Sequence, residues 1–189
     1  MKRNIFTLML LSFAFLCGCS NDVAEETKTY IFPESYFVYT GTDAADQAEA
    51  MTELGEEFCT SAEAVGNSVK LELTDVQRDN MIKRNSDYAE SLVNHLLKEN
   101  KEYSYTGDDS YKKLDFYYDE NASLMAEMFA IRGVSSCYAY NQILLNNTED
   151  WNVEITIYNC HTNKVVVHAN LPSEIDTTWN AEDWANSYK

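Results

Sequence analysis

Two periods run through this chain. In some stretches apolar residues alternate with polar ones, which predicts half-buried strands; in others they recur every three or four residues, which predicts amphipathic helices. Ser35-Tyr36-Phe37-Val38-Tyr39 is rich in β-formers and predicts a first strand after Tyr30-Ile31-Phe32 and Pro33. Ala44, Ala48, Met51, Gly55, Phe58, Ala62 and Val65 step by four and three, predicting a helix to about Val65 with Gly66-Asn67 as its C-cap. Val69, Leu71 and Leu73 alternate with Lys70 and Glu72 as a strand. Thr74-Asp75-Val76-Gln77 has the spacing of a capping box, because Thr and Gln side chains can satisfy the first orphan amides of a helix. The helix it opens is predicted to run to about Asn100, burying Met81, Tyr88, Leu92 and Leu96 with Ile82, Ala89 and Val93.

The second half repeats the theme. Residues 103–106 and 111–118 flank the turn Gly107-Asp108-Asp109-Ser110 and predict a hairpin, with Leu114, Phe116 and Tyr118 on one face. The acidic turn lacks the spaced oxygen ligands and distal Glu of an EF-hand, so it reads as a plain turn. A helix with Leu124, Met125, Met128 and Phe129 inward is expected to stop near Gly133; residues 134–146 fit either a strand or a helix through Leu145. Trp151, Val153, Ile155 and Ile157, then Val165, Val167, Ala169 and Leu171, predict a hairpin ended by Pro172. A short helix is expected after Asn180, with Trp179, Trp184 and Tyr188 docking on the body or forming a binding surface. Hairpins beside consecutive helices point to an α+β fold: an antiparallel sheet with two or three helices on one face.

Charge narrows the partners. Asp and Glu number 31 against 14 Lys and Arg, a net charge of −17. Phosphate backbones and anionic headgroups would be repelled, so nucleic acid is not an expected partner. A basic envelope protein, a cation or a small neutral ligand remains, and the 13 tyrosines suit contact with glycans or proteins. No cofactor is expected: there is no P-loop, G-x-G-x-x-G, G-x-S-x-G or H-E-x-x-H. No metal site is expected either, since no C-x-x-C occurs and His95, His161 and His168 are not paired at a ligand spacing.

The N-terminus carries an address. Lys2 and Arg3 precede an uncharged run from Ile5 to Leu16, too short for a spanning helix of roughly 20 residues. Leu16-Cys17-Gly18-Cys19 resembles the lipobox of bacterial lipoproteins. The resemblance implies cleavage after Gly18 and lipidation of Cys19, so residues 1–18 are a signal peptide. Losing Lys2 and Arg3 takes the net charge from −17 to −19. Residues 19–30 read as an acidic tether and 31–189 as one domain. Ser20 after the cysteine and the run Asp22 to Glu26 resemble outer-membrane lipoproteins of the Bacteroidota, facing the periplasm or the surface. Two or more acyl chains anchor stably where one is marginal.

An alternative reading is enzymatic. Gly133-Val134 before Cys137, then His168-Ala169, Trp179 and Asp183, resemble the motifs of transglutaminase-like cysteine hydrolases. That resemblance implies Cys137 as nucleophile, His168 as base and Asp183 as the group orienting it. Ser135-Ser136 is inserted before Cys137, and Asn170 stands where that family has Trp. The other expected thiols, Cys59 and Cys160, could pair with each other or with Cys137, or stay free. The primary expectation is a lipid-tethered binding module.

Overall fold

A computed structural model describes residues 25–97 and 102–189. The expected signal peptide and Cys19 lie outside the described residues. Strand β1 (Lys28–Phe32) begins within the expected tether and buries Tyr30 and Phe32. Pro33 follows, and residues expected as a strand form helix α1 (Glu34–Thr40) instead. Tyr36 and Phe37 are adjacent and both buried, while Val38 is 65% exposed. Neighbours on one side require the 100° step of a helix rather than strand alternation. The stop is Gly41 at φ 70°, whose N–H donates to the Phe37 carbonyl at 2.8 Å.

Asp43 caps α2 (Ala44–Glu53), accepting from Ala45 N–H at 2.7 Å and Asp46 N–H at 3.3 Å. The helix ends well short of the expected Val65. Gly55 sits at φ 85°, and β2 (Ser61–Val65) occupies the rest of the expected helix. Gly66-Asn67 is then not a helix cap but a two-residue hairpin turn into β3 (Ser68–Leu73), with Val65 facing Ser68. The three-and-four spacing past Gly55 is coincidental, since β2 is an edge strand with little to bury. The first sheet has the order β1-β3-β2 and is antiparallel throughout; Val69, Leu71 and Leu73 of its central strand are fully buried.

The capping box at Thr74 opens α3 (Asp75–Leu97) as expected. Met81, Ala89 and Val93 face inward, whereas Tyr88 is exposed. Strands β4 (Ser104–Gly107) and β5 (Lys113–Tyr118) form the expected hairpin. Helix α4 (Leu124–Asn146) does not stop at Gly133. A Cβ there would meet Leu92 Cδ1 at 2.6 Å, so Gly133 lets Leu92 of α3 pack directly against α4. Leu92 of α3 lies against Gly133 and Met81 against Tyr140, so the two helices run antiparallel. Phe129, expected inward, is exposed, while Ile131, Val134, Cys137, Ile143 and Leu144 are among the residues α4 buries.

Strands β6 (Val153–Asn159) and β7 (Val165–Leu171) form the last hairpin, and α5 (Ala181–Ser187) starts at a capping box made by Asn180 and Asp183. The second sheet has the order β4-β5-β6-β7, with β5 and β6 parallel. The fold is α+β, but the single antiparallel sheet is replaced by two sheets, one of them mixed. The reason is α4: a long crossover between two hairpins returns the chain in the same direction, so the hairpins join through a parallel pair. Trp179 docks beside Tyr118 and Trp184 packs edge-on against Trp179, both buried. Among the described residues no helix is long and apolar enough to cross a membrane.

Candidate functional site

The antiparallel α3–α4 pair and the β4–β5 hairpin meet at a cleft of about 410 Å³. Helix α3 contributes Ser86, Glu90 and Asn94; α4 contributes Cys137, Tyr138 and Asn141; the hairpin contributes Tyr105, Asp109 and Tyr111. The cleft depends on a glycine. A Cβ on Gly107 would lie 1.8 Å from the Tyr138 hydroxyl oxygen, so only glycine lets that ring lie across the strand. Tyr111 meets Tyr138 edge-on at 5.1 Å, and its backbone is left-handed at φ 57°, a sparsely populated state for a bulky residue.

Its hydrogen bonding is partly committed. Asp108 accepts from Lys112 N–H at 2.7 Å and Lys113 N–H at 2.9 Å, and from Ser110 Oγ. Burial works against its charge, but the bonds from Ser110 and those amides outweigh it and hold the carboxyl below its ordinary range. Asp108 therefore builds the turn. Asn141 Nδ2 donates to Ser86 Oγ at 3.0 Å, which aligns α3 with α4. Burial, then the neighbouring Glu90 charge, pushes the Tyr105 hydroxyl up; burial does the same to Tyr138. Both are neutral hydroxyls at physiological pH. Neutral hydroxyls, amide groups and the carboxylates of Glu90 and Asp109 suit a polar neutral molecule or a cation and repel an anion.

The three residues of the hydrolase alternative do not meet there. Cys137 is buried in α4 among core residues, and burial pushes its thiol up to about 12. No base hydrogen-bonds it among the described residues. His168 pairs in register with Thr156 on the outer face of the second sheet, away from the core that holds Cys137, with its Nε2 3.4 Å from Glu154 Oε1. Asp183 accepts the Asn180 N–H at 2.8 Å in the α5 capping box. Two expectations thus meet different partners for ordinary reasons: strand alternation turns His168 outward, and a helix N-terminus uses Asp183. Cys59, Cys137 and Cys160 are free thiols.

A second cluster was not visible along the chain. Glu102, Cys160 and His161 each offer one ligand atom, all within 4.8 Å of one another. Glu102 precedes β4, and Cys160-His161 opens the β6–β7 turn. They meet only because β4, β5 and β6 are neighbours and the parallel β5–β6 pair brings those chain ends to one side of the sheet. Nothing in the spacing, 58 positions between Glu102 and Cys160, signals it. No protein-family model, curated protein or solved structure matches this chain.

Proposed function

We propose that this chain is a lipid-tethered binding module of a bacterial outer membrane, held through Cys19 and carrying its ligand in the α3–α4–hairpin cleft. The observation that supports the reading is the cleft itself. Three tyrosines and the carboxylates of Glu90 and Asp109 face an opening in which, among the described residues, no nucleophile and base are paired. The lipobox-like Leu16-Cys17-Gly18-Cys19 supports the anchor. The acidic surface disfavours lying flat on anionic headgroups, so a spacer between anchor and domain is consistent with the charge. The occupant is a neutral saccharide-like molecule or an organic cation, recognised by tyrosine faces and carboxylates. The cysteine-hydrolase alternative has less support: burial holds the Cys137 thiol neutral, and among the described residues no base hydrogen-bonds it.

Two measurements test the reading separately. Intact-mass analysis of the membrane-extracted protein should show an N-terminal acylated Cys19; an unacylated terminus removes the anchor. For the cleft, a panel of neutral oligosaccharides and organic cations is screened by thermal shift on the wild type, Tyr138→Ala and Gly107→Val. Binding should appear in the wild type and be lost in both variants. A panel without a single shift, or a ligand whose shift survives both substitutions, rejects the cleft as the site.

A further inference from the structure

The ligand atoms of Glu102, Cys160 and His161 form a set unlike the acidic patches elsewhere on this surface. It combines a carboxylate, a thiol and an imidazole, all within 4.8 Å of one another. Around one tetrahedral zinc ion such atoms stand roughly 3.4–3.6 Å apart, from bond lengths of about 2.0–2.3 Å. Glu102 and His161 are exposed, so their side chains have room to rotate toward a shared ion.

The backbone beneath the set is already held. Cys160 N–H donates to the Tyr118 carbonyl at 2.8 Å, tying the turn to β5. His161 N–H donates at 2.9 Å to Oδ1 of Asn159, a fully buried side chain whose Nδ2 donates to Ser187 Oγ at 2.8 Å. Thr162 Oγ1 donates to the Ser187 carbonyl at 2.9 Å. The β6–β7 turn is therefore pinned to β5 on one side and α5 on the other. Such outer-shell support presents ligands in place and lowers the ordering cost of binding.

The field favours a cation. Asp119 and Glu120 flank Cys160, and Glu120 acts electrostatically on His161. Among the described residues, Glu102, Asp119 and Glu120 form no ion pair with Lys or Arg. Tyr103 donates to Asp119 at 2.8 Å, and Tyr188 donates to Glu120. Among the described residues these bonds leave net negative charge around the thiol, which a divalent ion would offset.

We propose that Glu102, Cys160 and His161 bind one borderline-soft divalent cation of the zinc class, with solvent completing the coordination. The mixed sulfur, nitrogen and oxygen donors select zinc, or cobalt as its substitute, over calcium and magnesium, which take oxygen ligands. Binding transfers the Cys160 thiol proton to solvent and forms the metal–sulfur bond. Affinity therefore falls as pH drops and protons compete for the thiolate and imidazole. Three protein ligands leave one position open, the arrangement of exchangeable rather than closed structural sites.

The test is a Co2+ titration of the full chain under reducing conditions. One equivalent should produce a thiolate-to-cobalt charge-transfer band that stoichiometric Zn2+ abolishes. The band should be absent in Cys160→Ser and retained in Cys137→Ser. Glu102→Gln and His161→Gln, both conservative and exposed, should each weaken binding at least about tenfold. The proposal is overturned if no charge-transfer band forms, if the band survives in Cys160→Ser, or if neither Glu102→Gln nor His161→Gln weakens binding.

Discussion

Gln77→Ala is the most informative single change for the fold. Gln77 is buried at the start of α3. Its Oε1 accepts from Thr74 N–H at 2.8 Å and Thr60 Oγ1 at 2.9 Å, and its Nε2 donates to the Glu56 carbonyl at 2.7 Å. One side chain thus completes the helix cap and ties the 54–60 loop to α3. Three neutral hydrogen bonds at about 0.5–1.5 kcal/mol each place the loss near 3 kcal/mol. The better helix propensity of Ala returns only a few tenths. With a urea m-value of about 2 kcal/mol/M, the unfolding midpoint should fall by about 1.5 M. Urea titration followed by circular dichroism measures it. Thr60→Val removes only the loop bond and should cost about 0.5–1 kcal/mol, near the low end because Thr60 is exposed. In the double-mutant cycle the two changes should couple, since Thr60→Val has nothing left to lose once Gln77 is Ala. A Gln77→Ala midpoint within about 0.25 M of wild type, worth about 0.5 kcal/mol, would falsify the argument that this side chain joins cap and loop.

Two further outcomes follow from buried carboxyl groups and caps. Glu127 is buried, its Oε2 has no hydrogen-bond partner among the described residues, and burial raises its carboxyl above the ordinary value despite a bond from Tyr118. A raised folded-state value means the folded protein holds this proton more tightly, so the favourable contribution is complete below the unfolded value and is lost as pH rises through the folded one. Glu127→Gln should therefore raise Tm by a few degrees at pH 7.5, with the gain vanishing below about pH 4; a gain of equal size at both pH values refutes the assignment. Asp183→Ala should lower stability by about 1 kcal/mol through loss of the α5 capping box, read as a shift in urea midpoint with an unchanged m-value. No shift there would mean that α5 is held by its buried Trp184 alone.

What could be read from the chain followed local chemistry. Thr74 and Gln77 announce the α3 cap, alternation announces β3 and the β6–β7 hairpin, and Asn180 announces α5, because each needs only neighbours within a few residues. Errors arose where a local pattern had two solutions. Ser35 to Tyr39 is rich in strand formers, yet as a helix it places the Tyr36 and Tyr39 rings against Phe32, Tyr140 and Trp151. Gly133 looks like a helix stop until Leu92 of α3 is seen against it. Gly55 and Gly66 both carry positive φ, which turned an apparent long helix into a helix and a hairpin.

The candidate sites divide the same way. The lipobox-like segment is contiguous, so its residues are legible without a fold. The hydrolase trio was assembled from order along the chain, and order says nothing about which face of a sheet a side chain takes; His168 faces out while Cys137 faces in. The cleft required two helices to pack closely enough for Tyr138 to cross Gly107. Glu102 meets Cys160 and His161 only through the parallel pairing of β5 with β6. By itself the sequence determined the charge, the N-terminal caps of α3 and α5, the alternating strands and the N-terminal motif, which depend on nearest neighbours. Tertiary structure alone decided the pairing of the hairpins, the fate of the glycines and both side-chain clusters, because those depend on contacts between residues far apart along the chain.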